Sequence, residues 1–272
     1  SYNGPENYKW GTWIKDVSFI EDKIDEFLPT EGRFLSYFAS LSTHGPHDKE
    51  QKYLKDYYDV FDENFDEYKT WTNENTKYII PTNSKDFSRF RTYKVGVMDL
   101  DRTVQFIIDN LEERGLKDNT SILLFADHNS YFSNMAYNLK GVKKSDFSNT
   151  YVNNIPVMLY SPKLAGMMEE HKVTSFCSTY DILPTLCDLY GLPMNKNLFQ
   201  GNSVFSEDIK NSIFCSNLSG MFTNNIFSFN ISDIYVTDES VTEKEIEAFK
   251  RNANNYWKTQ AKLEVIFANG IN

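Results

Sequence analysis

Two apolar segments of strand length, separated by one long amphipathic segment, constrain the fold of this chain more than any other feature. Residues 33–42 (RFLSYFASLS) form an apolar run with the length of a strand that is buried on both faces. An apolar stripe at helical spacing then extends from Phe87 to Leu111, and Gly115 follows where such a helix would end. Residues 120–126 (TSILLFA) form the second apolar run. A strand, a helix and a strand in this order predict a parallel sheet covered by helices.

The remaining segments extend this pattern and then depart from it. Residues 155–160 (IPVMLY) are a third strand candidate, whereas the chain beyond residue 212 consists of short runs typical of a small antiparallel sheet. Thr242 and Glu245 have the spacing of a capping box that opens a last helix. The predicted fold is α/β, with a mostly parallel sheet flanked by helices over residues 1–212. A small antiparallel sheet and a helix, residues 213–272, form a second domain packed on it.

Composition excludes several classes of function. The chain has 28 Lys and Arg against 38 Asp and Glu, a net charge of −10, so nucleic acid is not a predicted partner. Anionic substrates remain compatible with this net charge, because a bound cation can make the electrostatic potential of a cleft positive. No segment approaches about 18 consecutive apolar residues, which predicts a soluble piece of chain. The glycine-rich and catalytic motifs of dinucleotide-binding proteins, P-loop enzymes, elbow hydrolases and zincins do not occur.

Two polar loops follow predicted strands, where ligands bind in open parallel sheets. The first, residues 43–48, contains His44 and His47; a histidine pair at this spacing can bind a metal or anionic oxygens, or can simply be solvated. The second begins with Asp127 and His128, whose carboxylate and imidazole suit one Mn²⁺ or Zn²⁺ ion. The alternative is an aspartate that caps the turn after its strand. If both strands lie parallel in one sheet, the two loops converge.

The same loops resemble a known family. FLSYFASLSTHGPHD, from Phe34, resembles the F-x-x-x-x-x-T-x-S-x-H-x-P motif of lipoteichoic acid synthases and related phosphoglycerol or phosphoethanolamine transferases, in the sulfatase and alkaline phosphatase superfamily. Four further segments resemble that family in the same order, and the resemblance extends to Asp208. They are YKVGVMDLDRTVQFIIDNLEERGLKDNTSILLFADHNS, NIPVMLYSPK, STYDILPTLCDLYGLP and NLFQGNSVFSED.

The resemblance implies roles for individual residues. Asp127 and His128 match the family's ligands for a catalytic divalent cation, here expected to be Mn²⁺, with Zn²⁺ or Ca²⁺ as alternatives. His44 matches the histidine that contacts the transferred phosphoryl group, and His47 in the same loop is expected to bind substrate as well. The family's chemistry is attack by a threonine on a phosphodiester, which gives a phospho-enzyme that an acceptor hydroxyl resolves.

The chain also departs from the family pattern. The nucleophilic threonine and the first acidic ligand lie upstream of the histidine loop in the family, and nothing in residues 1–43 matches them. Ala126 replaces the glycine that usually precedes the Asp-His pair. The sequence therefore predicts the carboxyl-terminal part of a parent phosphotransferase or hydrolase, with half of a metal site and no activity of its own.

The resemblance further predicts the setting of the parent enzyme. It implies a membrane-anchored protein at the extracellular face of a bacterial membrane, attached through an upstream segment. Its substrate would be a phosphoglycerol- or phosphoethanolamine-bearing lipid or a sulfate ester. An amino-terminal fragment or a second copy is expected to cover the incomplete sheet. The alternative is a non-catalytic module that keeps the sulfatase fold and binds a cell-surface anionic polymer or a partner protein.

Overall fold

In the computed structural model the chain divides into two compact units, residues 1–169 and 170–272. The predicted domain boundary between residues 212 and 213 lies outside the described residues and stays a prediction. The structure describes residues 13–72, 77–129, 133–141, 154–167, 172–173, 175, 177–196, 199, 201–207, 214–216, 220–223, 226–228, 234–236 and 239–269.

The first unit combines helices with two short antiparallel strand pairs, β1 with β2 and β3 with β4. Its described helices are α1 (Asp16–Phe27), α2 (Lys55–Glu63), α3 (Phe65–Tyr68), α4 (Lys85–Glu113), α5 (Ser133–Lys140) and α6 (Pro162–Ala165). Its described strands are β1 (Thr70–Thr72), β2 (Lys77–Ile79), β3 (Ile122–Phe125) and β4 (Val157–Tyr160).

Helices α1 and α4 confirm the helical periodicity of the sequence, and they pack on each other. Helix α1 buries Val17 and Ile20. Helix α4 begins two residues earlier than an Asp86 cap would place it, because the Ser84 side chain accepts the hydrogen bond from the Phe87 amide at 3.1 Å. Gly115 follows the helix with a φ of +66°, a left-handed conformation that favours glycine.

The core of the first unit lies where α2 and α4 meet β2 and α5. Its large side chains fill the space between these elements, and burying each of them contributes roughly 1.5–3 kcal/mol relative to exposure. The buried members of this cluster are Leu54, Tyr58, Phe61, Ile80, Phe90, Val95 and Met135.

The predicted strand over residues 33–42 is wrong. The segment has no regular secondary structure, no strand in the described part of the chain pairs with it, and Leu35 and Tyr37 are 96% and 74% exposed. It is attached to α1 instead by Phe38, whose ring stacks on Phe19 at 6.0 Å and meets Phe27 edge-on at 6.2 Å. An apolar run has strand propensity, but it becomes a strand only when a neighbour accepts its backbone hydrogen bonds.

The predicted strands at residues 120–126 and 155–160 are confirmed as β3 and β4, but a mostly parallel sheet is not shown. Ile122 lies opposite Tyr160 and Phe125 lies opposite Val157, which is an antiparallel register. Every described strand pair is antiparallel. The sequence could not fix this direction, because an apolar run carries no information on which neighbour it pairs with.

The second unit confirms the predicted small antiparallel sheet and last helix. Ile226 of the sheet packs with Phe249 of that helix, and Thr242 and Glu245 form the expected capping box. Its described elements are α7 (Ile182–Leu189), β5 (Phe214–Ser216), β6 (Gly220–Phe222), β7 (Ile226–Ser228), β8 (Ile234–Val236) and α8 (Glu243–Asn269), with sheet order β5-β6-β7-β8. None of the helices among the described residues combines the length and apolar character that crossing a lipid bilayer requires.

Candidate functional site

The histidine loop, residues 43–48, follows residues 33–42 at a point held by Asp16. This aspartate is the first residue of α1 and is buried. Its carboxylate accepts hydrogen bonds from the backbone amides of Leu41 at 3.1 Å and Ser42 at 2.9 Å, and from the Ser40 hydroxyl at 2.6 Å. Three donors on one carboxylate hold the start of the loop against α1, because each charge-assisted bond is stronger than a neutral one.

Asp99 of α4 holds the same point from the other side. Its Oδ2 atom accepts hydrogen bonds from the Ser42 hydroxyl and, at 2.7 Å, from the Asp16 amide. Asp99 is fully buried, so these bonds form where water does not compete. Sequence reasoning gave neither aspartate a role. The sequence does contain an indication of these roles. Asp16 lies in the first turn of α1, and Asp99 interrupts the apolar stripe of α4.

One face of α4 lies along the whole histidine loop. The Arg89 guanidinium pairs with Asp48 at 2.7 Å, and the Tyr93 ring meets the ring of His47 at 5.6 Å between centroids. Gly96 lies against the backbone of Ser42. Because these helix residues are three or four positions apart, they share one face, and the loop runs antiparallel to the helix.

The ring of His44 has a defined proton arrangement. Its Nδ1 atom lies 2.6 Å from the carbonyl oxygen of Gly45, which can only accept a hydrogen bond, so Nδ1 carries the hydrogen. In the neutral ring, Nε2 is then the nitrogen with the lone pair. The Trp13 ring meets His44 at 5.6 Å between centroids in an edge-on arrangement.

His47 is half-buried against Tyr93. Burial lowers the pKa of His47 below its ordinary value of 6.5, and the nearby His44 lowers this pKa further, whereas Asp48 opposes the shift. Burial also raises the pKa of Tyr93. The structure therefore brings the two histidines close enough for their charges to interact.

Asp127 and His128 form a compact turn directly after β3. The His128 amide donates to Asp127 Oδ1 at 2.9 Å, and His128 Nε2 lies 3.7 Å from the same oxygen. His128 Nδ1 lies 2.7 Å from the Asn129 carbonyl oxygen, so Nδ1 carries the hydrogen and Nε2 is the lone-pair nitrogen of the neutral ring. This is the tautomer that a metal-binding histidine adopts when its other nitrogen is hydrogen-bonded.

The chemistry of this turn fits a divalent cation. Two ligands about 2.1 Å from one ion lie roughly 3–3.5 Å apart, close to the observed Asp127–His128 separation. The Asp127 side chain is 86% exposed and so is accessible to an ion. The alternative interpretation, in which Asp127 caps the turn after its strand, also has support, because the Asp127 carboxylate accepts a hydrogen bond from the His128 amide.

Among the described residues, the histidine loop and the Asp127–His128 turn do not combine into one metal site. They contain no group of three or more His, Cys, Asp or Glu side chains that could hold an ion together. The predicted convergence required residues 33–42 and β3 to be parallel neighbours in a sheet, and the former is not a strand. The roles of His44, His47, Asp127 and His128 stay predictions.

In the second unit, Asp181 joins two of the segments that carry the family resemblance. Its Oδ2 accepts from the Ser178 amide at 2.7 Å, and its Oδ1 accepts from the Asn202 amide at 2.8 Å. Gly201 lies against the Tyr180 backbone, where a Cβ would stand 2.1 Å from the carbonyl oxygen. Asp181 and Gly201 therefore join the two segments by hydrogen bonds and by a close backbone approach.

Comparison with known proteins identifies the family of the chain. The sulfatase family matches residues 2–192. Lipoteichoic acid synthase 1 from Bacillus subtilis is 25% identical over 200 residues, which are 72% of this chain and 27% of that protein. Lipoteichoic acid synthase from Staphylococcus saprophyticus is 20% identical over 255 residues, 93% of this chain and 35% of that protein. The chain thus spans about a quarter to a third of the length of these relatives.

Among solved structures, the lipoteichoic acid synthase LtaP from Listeria monocytogenes resembles the chain. The two are 17% identical, with a TM-score of 0.42, over 70% of this chain and 50% of that one.

Proposed function

Because the chain belongs to the sulfatase family, we propose that it is the carboxyl-terminal part of a metal-dependent phosphoglycerol transferase or a related sulfatase-like enzyme. The relatives named lipoteichoic acid synthases support the transferase over other members of the family. The parent enzyme would act on phosphodiester or sulfate ester substrates at the extracellular face of a bacterial membrane. The chain alone would be inactive, because its sequence contains no match to the family's threonine nucleophile.

The observation that carries this proposal is the arrangement of Asp127 and His128. A carboxylate oxygen and an imidazole nitrogen lie 3.7 Å apart at the end of a strand, and the Asn129 carbonyl fixes the tautomer that leaves Nε2 as a ligand. These two side chains would hold one divalent cation, Mn²⁺ first and Zn²⁺ or Ca²⁺ as alternatives. When bound, the cation would stabilise negative charge on the oxygens of the transferred group.

The histidine loop would bind the anionic group itself. In its protonated form, His44 keeps the Nδ1 hydrogen bond to Gly45 and can donate from Nε2 to an anionic oxygen. His47 would contribute while neutral, because its lowered pKa disfavours the charged form. A lipid carrying phosphoglycerol or phosphoethanolamine, or a sulfate ester, presents oxygens that suit these donors.

We further propose that an upstream segment of the parent protein, or a second copy of the chain, covers the exposed apolar side chains of residues 33–42 and of β4. Leu35 and Tyr37 are largely exposed, and so is Met158 of β4. Contiguous exposed apolar side chains commonly mark a surface that another segment or chain covers.

The direct test is a titration with Mn²⁺ in which the histidine side chains are followed by NMR, together with native mass spectrometry. Bound Mn²⁺ broadens the signals of nearby nuclei, so even weak binding by two ligands is visible. We expect broadening of the His128 signals that is lost in Asp127→Ala, and uptake of one ion that is lost in both Asp127→Ala and His128→Ala. Asp118→Ala is the matched control, since it removes an exposed carboxylate of the same unit.

Uptake of Mn²⁺ or Zn²⁺ that persists in both variants would contradict the assigned ligands. A folded chain that takes up neither ion would favour the non-catalytic alternative, in which the module binds an anionic polymer or a partner protein.

A further inference from the structure

Asp99 is a fully buried carboxylate that accepts two short hydrogen bonds through one oxygen. Oδ2 accepts from the Ser42 hydroxyl and the Asp16 amide, whereas Oδ1 is buried without a hydrogen bond of normal geometry among the described residues. Burial, followed by the charge of Asp99 and a side-chain interaction with it, raises the pKa of the neighbouring Tyr57 phenol. Burying a carboxylate costs free energy, which the bonds to Oδ2 partly offset. One of these bonds holds Ser42, directly before the histidine loop, and the other holds the amide of Asp16 at the start of α1.

Ser42 is the junction between the two aspartates and the loop. Its amide donates to Asp16 at 2.9 Å, and its hydroxyl donates to Asp99. Two residues later, the His44 amide donates to the Leu41 carbonyl at 2.9 Å and closes a turn. The backbone that carries the His44 ring therefore starts from a point fixed by two buried carboxylates.

Two aromatic side chains, Tyr53 and Trp13, form a series of ring contacts that ends at His44. The Trp13 ring meets His44 at 5.6 Å and Tyr53 at 6.2 Å between centroids. Burial, followed by the charges of Asp16 and Asp99, raises the pKa of Tyr53. The aspartates thus lie in a water-poor environment, where hydrogen bonds are stronger and more directional than in solvent.

We propose that Asp99 is a positioning residue for the histidine loop, which acts through the Ser42 hydroxyl to fix the backbone of residues 41–44 and the orientation of the His44 ring. Its importance for the reaction rests on the proposed role of His44 in binding the anionic substrate group.

The test reads the tautomer of His44 from the ¹⁵N resonances of its ring, at a pH where the ring is neutral. The chain has only four histidines, so the signals can be assigned by substitution. We expect Asp99→Ala and Ser42→Ala each to convert the Nδ1-protonated ring into a mixture of tautomers. The double variant should show no more tautomer mixing than either single variant, because both substitutions remove the same hydrogen bond between Ser42 and Asp99.

Two controls separate positioning from stability alone. In Asp99→Asn, the amide oxygen can replace Oδ2 as the acceptor from Ser42 while the NH₂ group takes the place of Oδ1, so we expect the His44 tautomer of the unaltered chain. Asp181→Ala removes a similarly buried, hydrogen-bonded carboxylate from the second unit. It should lower the unfolding midpoint in urea and leave His44 unchanged.

Folded Ser42→Ala protein that keeps the single His44 tautomer would overturn the proposal, even if Asp99→Ala does not fold. Loss of the tautomer in Asp99→Asn would also overturn it, because the hydrogen bond would then not be the cause. A titration with inorganic phosphate tests the substrate role separately. If phosphate does not shift His44 in the unaltered chain, the substrate role fails, whereas the tautomer result for Asp99 is independent of phosphate.

Discussion

Gly96 and Ser42 lie so close together that a Cβ on Gly96 would stand 2.1 Å from the Ser42 carbonyl oxygen and 3.3 Å from Thr43 Cα. The long helix α4 can approach the histidine loop only because this position has no side chain. The contact lies next to the hydrogen bond from Ser42 to Asp99, so helix and loop are joined by close packing and by a buried polar link.

We expect Gly96→Ala to destabilise the chain by about 1–3 kcal/mol, as overpacked sites do. Alanine inside a helix is ordinarily favoured over glycine by about 1 kcal/mol, so a net loss would show that the overlap with Ser42 dominates. Urea unfolding measures the change. Gly166→Ala is the control, because a Cβ there meets nothing within 4 Å; equal midpoints for both variants would contradict the prediction.

The stability of the fold should rise with pH through the range in which His47 titrates. Burial lowers the pKa of His47 in the folded chain, so the unfolded chain binds its proton more readily. Stability contributed by the neutral ring is therefore lost as the pH falls from 6.5 through the folded pKa. His47→Gln should reduce the slope of unfolding free energy against pH in this window.

An NMR titration checks the same shift directly. The His47 ring signals should have a midpoint below 6.5, and a midpoint at or above this value would refute the assigned burial effect.

Arg91 should tolerate replacement by lysine poorly. Its guanidinium makes two hydrogen bonds to the Asp62 carboxylate, one of them at 2.8 Å, pairs with Glu50 and lies 4.6 Å from the centre of the Tyr58 ring. Lysine cannot reproduce the planar fork or the stacking, so Arg91→Lys should cost about 1–2 kcal/mol of unfolding free energy.

The exposed pair of Lys250 and Glu247 provides the comparison for Arg91. Lys250→Ala should change the unfolding free energy by less than about 0.5 kcal/mol, as for exposed pairs three residues apart on a helix. If both variants lose a similar amount of unfolding free energy, the planar guanidinium of Arg91 and its stacking on Tyr58 contribute nothing beyond an ordinary exposed ion pair.

Asp181→Ala should destabilise the second unit by about 2–4 kcal/mol, since it leaves the Ser178 and Asn202 amides without their acceptor. Burial raises the pKa of Asp181 in the folded chain. The native state therefore holds the proton more tightly, and the stability associated with that proton is lost as the pH rises above 3.8 through the folded pKa. Urea unfolding at several pH values, with Asp188→Ala as control, measures both effects.

The sequence predicted the positions of the helices, the strand candidates and the polar turns, because each of these features depends on residues that are neighbours in the chain. The periodic stripe of α4 and the glycine after it gave the helix, and the apolar run before Asp127 gave β3. The order of the motifs also indicated the family that comparison with known proteins then showed.

Contacts between distant residues required the tertiary structure. Residues 33–42 have the composition of a strand, yet Phe38 packs on α1 and no described strand pairs with them. The antiparallel register of β3 and β4 has no counterpart in their apolar composition.

The sequence by itself determined the family, the helices and the residue types at both candidate turns, since each follows from a short stretch of chain. Only the tertiary structure decided which groups hold the histidine loop. Asp16 and Asp99 are 83 positions apart, and they meet at Ser42 because α1 and α4 pack together and bury all three groups. A hydrogen bond in a buried site depends on distance, direction and exclusion of water, and these arise only when the helices are assembled.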